Sequence, residues 1–277
     1  MPAAAALRLQ IEHALERRFP AALTPAPRAV QETAPTGIAE VDELLGGGLP
    51  VGAISEVTGP ESSGRTSLAL AFLAQCTREG RACAWVDAED AFDPESAAAN
   101  GVALRQLLWV RCGNANEPAQ GKPLKRSLTR SLTRPLTRPT TKPWTKPWTR
   151  LDQAVRAADL LLQGGGFAAI VLDLAGTAPE HARRIPLATW FRFRQAATRT
   201  RCSLLVLGQM ALAQSSAAVV LECAPLRVQS SGGTVLNGFT FAVQRGRSAV
   251  VSTMGGARKL PASAWPAGCA WDAEKSA

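Results

Sequence analysis

The sequence lacks the features that would assign the protein to a membrane or to a secretory route. None of its apolar runs approaches the roughly 18 residues that a membrane span needs, although 46% of the 277 residues are hydrophobic. The first 19 residues do not combine a charged segment with a following apolar one, as a signal peptide would. We therefore expect a cytoplasmic protein with no membrane partner.

The cysteines lack the spacing of a metal site. Six of them are spread between Cys76 and Cys269 without a C-x-x-C pair, and the chain has only two histidines. This pattern is typical of buried, reduced thiols rather than of a zinc site or a disulfide framework. No structural metal cluster is expected.

Acidic residues are missing from one stretch, and this absence accounts for the net charge of +9. Nine cations lie between Lys122 and Arg150 with no acid among them, which leaves 22 basic and 22 acidic residues elsewhere. A basic excess often indicates nucleic-acid binding. Here the whole excess belongs to a single segment.

That segment contains six tandem tetrapeptides, because residues 126–149 read RSLTRSLTRPLTRPTTKPWTKPWT. Repeated proline disfavours a helix or a central strand, so we predict that residues 114–150 form a disordered or polyproline-like insertion in a loop. It is either a basic arm whose Trp144 and Trp148 stack on bases, or a short nucleotide repeat that expanded in a tolerant surface loop. The near-identity of adjacent units favours the second interpretation.

Apolar strands alternate with helices through most of the chain, which predicts an α/β fold with a buried, mostly parallel sheet. Strands are predicted at 53–59, 82–89, 107–112, 168–175 and 202–209, and helices within 36–50, 63–80, 151–165 and 186–201. Three later segments, 219–225, 234–246 and 249–254, read as strands joined by turns and predict an antiparallel extension.

Three parts of the chain are expected. Residues 1–33 hold an amphipathic helix and a Pro/Ala-rich linker, which would either dock on a neighbouring subunit or cap their own domain. Residues 34–260 form the core, interrupted by the insertion, and residues 261–277 form a C-terminal tail.

Residues 59–66, GPESSGRT, stand between a predicted strand and a predicted helix. They match the P-loop pattern G-x-x-x-x-G-K-[ST], with arginine in the lysine position. The glycines allow backbone N–H groups to point inward, and the helix N-terminus adds its positive end. The expected phosphate-binding residues are Gly59, Pro60, Glu61, Ser62, Ser63, Gly64, Arg65, Thr66 and Ser67.

Two carboxylates follow other predicted strands. Asp173 ends the apolar strand AAIVLD, where a carboxylate holds Mg²⁺ in P-loop proteins, and the Thr66 hydroxyl would be a second magnesium ligand. Glu89 follows the strand ACAWVDAE, where it would orient and deprotonate an attacking water. Ligands of open α/β sheets bind at the carboxyl ends of the strands, which favours one shared site.

The strings GPESSG and DAEDAFDP resemble the bacterial RecA recombinases, and the resemblance covers roughly residues 34–255 without the repeat. It implies the RecA core fold, ATP and Mg²⁺ as ligands, and Glu89 as the water-activating base. It also implies that Asp93 lies near the adenine and that Gln209 couples the γ-phosphate to DNA. The implied contacts to the ATP of a neighbouring subunit come from Arg245 and Arg247, although a surface pair of arginines is an alternative interpretation.

The sequence departs from the RecA pattern in the residues that serve catalysis and DNA binding. Arg65 replaces the compact P-loop lysine, which makes fast hydrolysis doubtful, and Ser96 stands where the family has an aromatic residue against the adenine. The regions after Asp173 and Gln209 are short and lack the Gly-rich loops that lie along DNA. With these departures the chain resembles the ImuA proteins, which are short RecA-related partners of a mutagenic polymerase system.

Three functions remain open. The first is an ImuA-like accessory protein of DNA repair, with a second copy, RecA or a Y-family polymerase component as partner. The second is an active recombinase whose ATPase depends on single-stranded DNA. The third is a non-catalytic inhibitor or scaffold of the SOS response. Whether the chain is an enzyme is left open, and the candidate activity is a weak DNA-dependent ATPase.

Deleting residues 122–150 is expected to leave the affinity for single-stranded DNA and its salt dependence unchanged, because the repeat reads as an expansion in a tolerant loop. If all nine cations met phosphates of one strand, log K would fall with log salt with a slope near −6. Loss of such a slope on deletion, measured by fluorescence anisotropy, would show that the segment is a DNA-binding arm.

Overall fold

The computed structural model describes residues 32–113, 147–231, 235–246 and 262–268. Apart from Glu32, they all belong to one structural unit, Thr33–Ala277. The predicted N-terminal helix, most of the tetrapeptide repeat and the predicted strand at 249–254 lie outside the described residues.

Within these ranges the elements follow the predicted alternation of strands and helices. The strands are β1 Thr33–Ala34, β2 Leu49–Pro50, β3 Ile54–Thr58, β4 Cys83–Asp87, β5 Leu107–Arg111, β6 Ala169–Asp173, β7 Ser203–Gly208, β8 Ala217–Ser231, β9 Val235–Arg245 and β10 Ala262–Gly268. The α-helices are α1 Ala39–Leu45, α2 Arg65–Arg78, α3 Pro94–Ala99, α4 Pro147–Gly164, α5 Pro179–Ala182 and α6 Leu187–Thr200. Two 3-10 helices span Leu104–Gln106 and Gln214–Ser216.

Eight strands form one sheet in the order β10-β9-β8-β3-β7-β6-β4-β5. The six strands from β8 to β5 in this order run parallel to their neighbours, whereas β9 is antiparallel to both β8 and β10. The short strands β1 and β2 pair separately. The predicted α/β class, with a parallel sheet and an antiparallel C-terminal extension, is confirmed.

Helices pack on both faces of this sheet, because alternate strand residues point to opposite sides. On one face, Leu68 and Phe72 of α2 join a buried cluster with Trp85 of β4. On the other face, Trp190 and Phe193 of α6 join a second cluster, to which α4 also contributes. The cysteines of the described part, Cys76, Cys83, Cys112, Cys202 and Cys223, are all buried and free.

Two boundaries differ from the sequence-based expectation. Residues 262–268, expected in a tail outside the core, form β10 along β9, and Trp265 is buried there against Phe241. Helix α4 begins at Pro147, within the last repeat unit and four residues before its predicted start. A deletion that spares this helix therefore ends at residue 146. No helix in the described ranges is both long and apolar enough to cross a bilayer.

The connection between β7 and β8 is short and is held inside the fold. β7 ends beside Thr58 and β8 begins beside Ile54, so residues 209–216 must return along the whole length of β3. The buried Glu56 of β3 accepts hydrogen bonds from the backbone N–H groups of Leu212, at 2.6 Å, and of Ala213, at 2.9 Å. Little of this connection is left to protrude as a loop.

Glu56 carries an electrostatic penalty in this position. Only 1% of the residue is exposed, and its Oε2 atom has no hydrogen-bond partner. Burial raises the pKa of Glu56 above its ordinary value of 4.5, although the amides of Leu212 and Ala213 act in the opposite direction. Burial therefore favours the protonated form of Glu56 in the folded protein. The folded state is most stable below the ordinary pKa, where this form is present, and it loses stability as the pH rises through the higher pKa of the folded state.

We predict that the Glu56→Gln variant becomes more stable relative to wild type as the pH rises from about 5 to about 8, since only the glutamate loses a proton over this range. Urea unfolding of both proteins at the two pH values measures the difference. Glu222→Gln, at an exposed position of β8, is the control. A stability difference for Glu56→Gln that does not change with pH would contradict the assignment.

Candidate nucleotide-binding site

The loop between β3 and α2 has the backbone of a phosphate cradle. Gly59, directly after β3, has φ 153°, and Gly64, the N-cap of α2, has φ 87°. A Cβ atom at Gly59 would meet the backbone oxygen of Cys223. Within the loop, the buried Ser63 Oγ has no hydrogen-bond partner. A polar atom of this kind, in a loop that opens onto a helix N-terminus, fits an anionic ligand.

The other residues of the predicted phosphate-binding segment differ in their exposure to solvent. Pro60, Glu61 and Ser62 are exposed at the tip of the loop, and Thr66 is exposed in the first turn of α2. Ser67 is half-buried. The tip and the first helical turn are therefore accessible to a ligand.

An aromatic cluster from the antiparallel extension supports the cradle. A Cβ atom at Gly64 would lie 2.6 Å from Cγ of Phe241 in β9. Phe241 is itself packed between Phe239, at a centroid distance of 5.9 Å, and Trp265, at 5.3 Å. The predicted tail thus contributes to the support of the phosphate loop through Trp265.

Arg65 is held by the protein in this structure. Its Nη1 atom donates a 2.7 Å hydrogen bond to the backbone oxygen of Gly208, the last residue of β7, and only 6% of the residue is exposed. Burial lowers the pKa of Arg65, while Asp173 and other nearby groups act in the opposite direction. The guanidinium therefore joins the start of α2 to the end of β7.

A cavity of about 250 Å³ brings together most of the other predicted residues. It is lined by Thr66 of α2, Glu89 and Asp93 of the segment after β4, and Asp173 at the end of β6. β4 and β6 are adjacent parallel strands with Asp87 opposite Asp173. The shared strand ends therefore place Glu89 and Asp173 at one site, as predicted for parallel strands.

The charged form of Asp173 is destabilised by its surroundings. Burial raises the pKa of Asp173 to about 6, and the charges of Asp87 and Glu89 act in the same direction. The N–H of Ala175, which donates to Asp173 Oδ1 at 3.0 Å, and the charge of Arg65 oppose this shift. A divalent cation would favour the ionised form of such a carboxylate, so the arrangement fits Mg²⁺.

Glu89 is positioned by a residue that the motifs did not indicate. The buried Thr177 donates a hydrogen bond from Oγ1 to Glu89 Oε1 at 3.2 Å. Gly176 lies so close that a Cβ atom there would be 3.0 Å from Glu89 Cγ. Thr177 follows β6 by four residues and is part of no recognisable motif, so only the fold shows its proximity to Glu89.

Asp93 lines the cavity but also caps a helix. Its carboxylate accepts hydrogen bonds from the N–H groups of Glu95, at 3.2 Å, and Ser96, at 3.3 Å, and from Ser96 Oγ at 2.5 Å. Ser96, which stands where the RecA family has an aromatic residue, therefore fixes the Asp93 carboxylate instead of offering a stacking surface.

Gln209 and Arg245 are not among the residues that line the cavity with Glu89 and Asp173. Gln209 lines a second cavity, of about 560 Å³, together with Gly59 and Pro60, and its Nε2 atom donates to the oxygen of Ala175 at 3.3 Å. Arg245 ends β9, where it pairs with Leu221 of β8. Arg247 lies outside the described residues. The predicted residues thus line two cavities, which the hydrogen bond from Gln209 to Ala175 connects.

Taken together, the glycine-framed loop, the orphaned Ser63 hydroxyl and the carboxylates at the strand ends fit a nucleotide with Mg²⁺. Thr66 and Asp173 are the residues that would hold the metal. The fold and the arrangement of these residues fit the class of P-loop nucleotide-binding α/β proteins.

Comparison with known proteins shows which family part of the chain is similar to. Residues 5–131 match the family model for the RecA N-terminal domain. The chain is 52% identical to protein RecA of Brucella anthropi over 84 residues, which are 30% of this chain and 23% of that protein. It is 46% identical to protein RecA of Nostoc sp. over 99 residues, which are 36% of this chain and 28% of that protein.

The similarity to the RecA N-terminal domain covers residues 5–131, which are less than half of the chain. The matched stretches span less than a third of the length of these relatives. The recognised similarity is therefore to part of a RecA protein.

Replacing Gly64 with alanine should abolish nucleotide binding, because the new Cβ would collide with the Phe241 ring and displace the loop. Gly80→Ala is the matched control, since Gly80 also has positive φ, 74°, but has open space around its Cβ position. We expect the Gly64 variant to be less stable than the control by about 1–3 kcal/mol. Urea unfolding measures this difference, and equal stability with intact binding would contradict the role of the aromatic cluster.

Proposed function

We propose that this chain binds ATP with Mg²⁺ and works as an accessory protein of bacterial DNA repair, in the manner of a short RecA paralog. The observation that carries the proposal is the cavity that joins Thr66 of the phosphate loop to Glu89 and Asp173. Proteins that transfer or hydrolyse the γ-phosphate combine these groups. The family relationship supports ATP as the nucleotide.

Each group has a distinct part in this proposal. The loop from Gly59 to Ser67 would bind the phosphates through its N–H groups, and Thr66 and Asp173 would hold Mg²⁺. The metal, when bound, supplies positive charge that offsets the negative charge on the phosphate oxygens. Glu89, oriented by Thr177, would accept a proton from the attacking water.

The environment of Arg65 is a reason to expect that any ATP hydrolysis is slow. A lysine is a compact charge with three rotatable donors, whereas the guanidinium is a planar fork. Here one arm of this fork is bound to Gly208. Binding through the backbone of the loop would be retained, while stabilisation of the reacting phosphate would be weaker.

The short connections beside the site support an accessory role over strand exchange. Residues 209–216 are occupied in returning across the sheet, with Glu56 holding their backbone. The segment after β6 folds into the four-residue helix α5. We propose that contacts with proteins, through a RecA-type interface, replace long DNA-binding loops. The partner would be a second copy, RecA or a Y-family polymerase component, within the SOS response of the bacterial cytoplasm.

A second candidate function, an active recombinase that hydrolyses ATP on single-stranded DNA, is favoured by a different observation. The chain shares 46–52% identity with proteins named RecA over its matched stretches. Such similarity would fit a retained DNA-dependent ATPase.

Two measurements separate these functions. ATP hydrolysis that rises with added single-stranded DNA supports the recombinase, whereas a flat response supports the accessory protein. Co-purification with a RecA filament or with the polymerase component, dependent on ATP, is expected for the accessory protein. If neither protein is bound with or without ATP, the accessory function is wrong.

We predict that the Arg65→Lys variant hydrolyses ATP at least about tenfold faster than wild type, because a lysine ammonium can reach between the phosphates. The free energy of unfolding should fall by about 1–3 kcal/mol, since the Gly208 oxygen loses its donor. Arg78→Lys, at the exposed end of the same helix, is the control. An unchanged single-turnover rate for Arg65→Lys would show that Arg65 does not limit hydrolysis.

A further inference from the structure

An ion pair between the DAEDAFDP string and β5 fixes the segment that carries Glu89. Residues 88–93 connect β4 to α3 and contain both Glu89 and Asp93. Asp90, between them, accepts two hydrogen bonds from Arg111 at the end of β5: Nε to Oδ1 at 2.6 Å and Nη2 to Oδ2 at 2.6 Å. This two-pronged contact fixes direction as well as distance.

Asp90 lies at a tight bend of the segment. Its φ is +60°, a left-handed conformation that aspartate adopts more readily than most residues other than glycine. The parallel register places Arg111 opposite Asp87, the last residue of β4, so the arginine stands directly beside the segment. Its hydrogen bonds hold the pKa of Asp90 below the ordinary value, with a smaller contribution from Arg150.

Trp109, two residues before Arg111 in β5, also contacts the segment that carries Glu89. The Arg111 guanidinium lies 4.8 Å from the centre of the Trp109 ring, a cation–π geometry. Trp109 Nε1 donates to Asp87 Oδ2 at 3.3 Å, and its ring packs on Phe92 at a centroid distance of 5.3 Å. The two residues of β5 therefore contact the segment near its start, middle and end.

Asp87 completes the arrangement at the end of β4. Its carboxylate, in a residue with 1% exposure, accepts hydrogen bonds from the N–H groups of Ala91, at 3.1 Å, and Phe92, at 2.9 Å. Glu89 thus lies in a short turn whose residues on both sides are fixed by strands β4 and β5.

We propose that Asp90 and Arg111 are positioning residues: their ion pair holds residues 88–93 so that Glu89 faces Thr66 and Asp173 across the cavity. The inference rests on the proposed ATP site. Exposed ion pairs contribute little to global stability, and this pair is about 40% exposed on average, with side-chain values of 44% and 35%. Its effect is local, because displacement of a reacting group by about 1 Å can slow a reaction by about a hundredfold.

The experiment compares Arg111→Gln with the matched control Arg192→Gln. Arg192 pairs with Asp159 between α6 and α4, away from the cavity, with side-chain exposures of 48% and 25%. Arg111→Lys, which keeps the charge but loses the fork, is the conservative variant. Each full-length protein is assayed for binding of ATP with Mg²⁺, for single-turnover hydrolysis, and for hydrogen exchange of the amides in 88–93.

For Arg111→Gln we expect at least about tenfold slower hydrolysis with the dissociation constant for ATP within about twofold of wild type, because the phosphate loop is untouched. Exchange of the Ala91 and Phe92 amides should accelerate. Arg111→Lys should be intermediate, and Arg192→Gln should match wild type in all three assays. Similar melting temperatures for both glutamine variants would show that the effect is local.

The outcomes distinguish this inference from the proposed function. If wild type binds no ATP, the proposed function fails; if it binds ATP without turnover, exchange at 88–93 still decides whether the pair orders this segment. Exchange in Arg111→Gln equal to that of wild type overturns the inference in either case. If wild type hydrolyses ATP and Arg111→Gln does so at the same rate, the positioning role is wrong while the proposed function stands.

Discussion

Parallel pairing is the constraint on which the site depends. Six adjacent strands, from β8 to β5 in the sheet order, point the same way, so their carboxyl ends meet at one edge. The phosphate loop follows β3, Glu89 follows β4, and Asp173 ends β6. Residues far apart in the chain therefore line one cavity. The buried faces that hold these strands in register also hold the site together.

Two buried charged residues adapt this architecture in particular ways. Arg65 joins the phosphate loop to the end of β7 through Gly208. Glu56, in the strand that leads to the loop, holds the backbone of the β7–β8 connection. Both contacts join the region of β3 and the phosphate loop to residues at or after the end of β7. The proposed function rests on these two features. The phosphate-binding loop is retained, and the β7–β8 connection beside it is too short to form a long protruding loop.

Much of the fold and the centre of the site could be predicted from the sequence because they depend on local patterns. Apolar runs indicated β3, β4, β6 and β7, and the P-loop string indicated the cradle between β3 and α2. The rest depends on contacts between distant segments. No pattern relates Thr177 to Glu89, or Arg111 to Asp90, since only the register of adjacent strands brings them together.

Contacts between distant segments also account for the position of β10 and for the surroundings of Gln209. Residues 262–268 contain proline and no β-branched residue, so the sequence did not indicate their pairing with β9, although Trp265 packs against Phe241. Family resemblance grouped Gln209 with the nucleotide-binding residues, and the structure places it in the cavity with Gly59 and in hydrogen-bond contact with Ala175, which lines the cavity of Asp173.

We propose that this edge of the sheet binds a nucleotide despite Arg65. Calorimetric titration of the full-length chain with ATP, in the presence and absence of Mg²⁺, measures this binding. We expect saturable binding of one nucleotide per chain, strengthened by Mg²⁺. No saturable heat under either condition would contradict it.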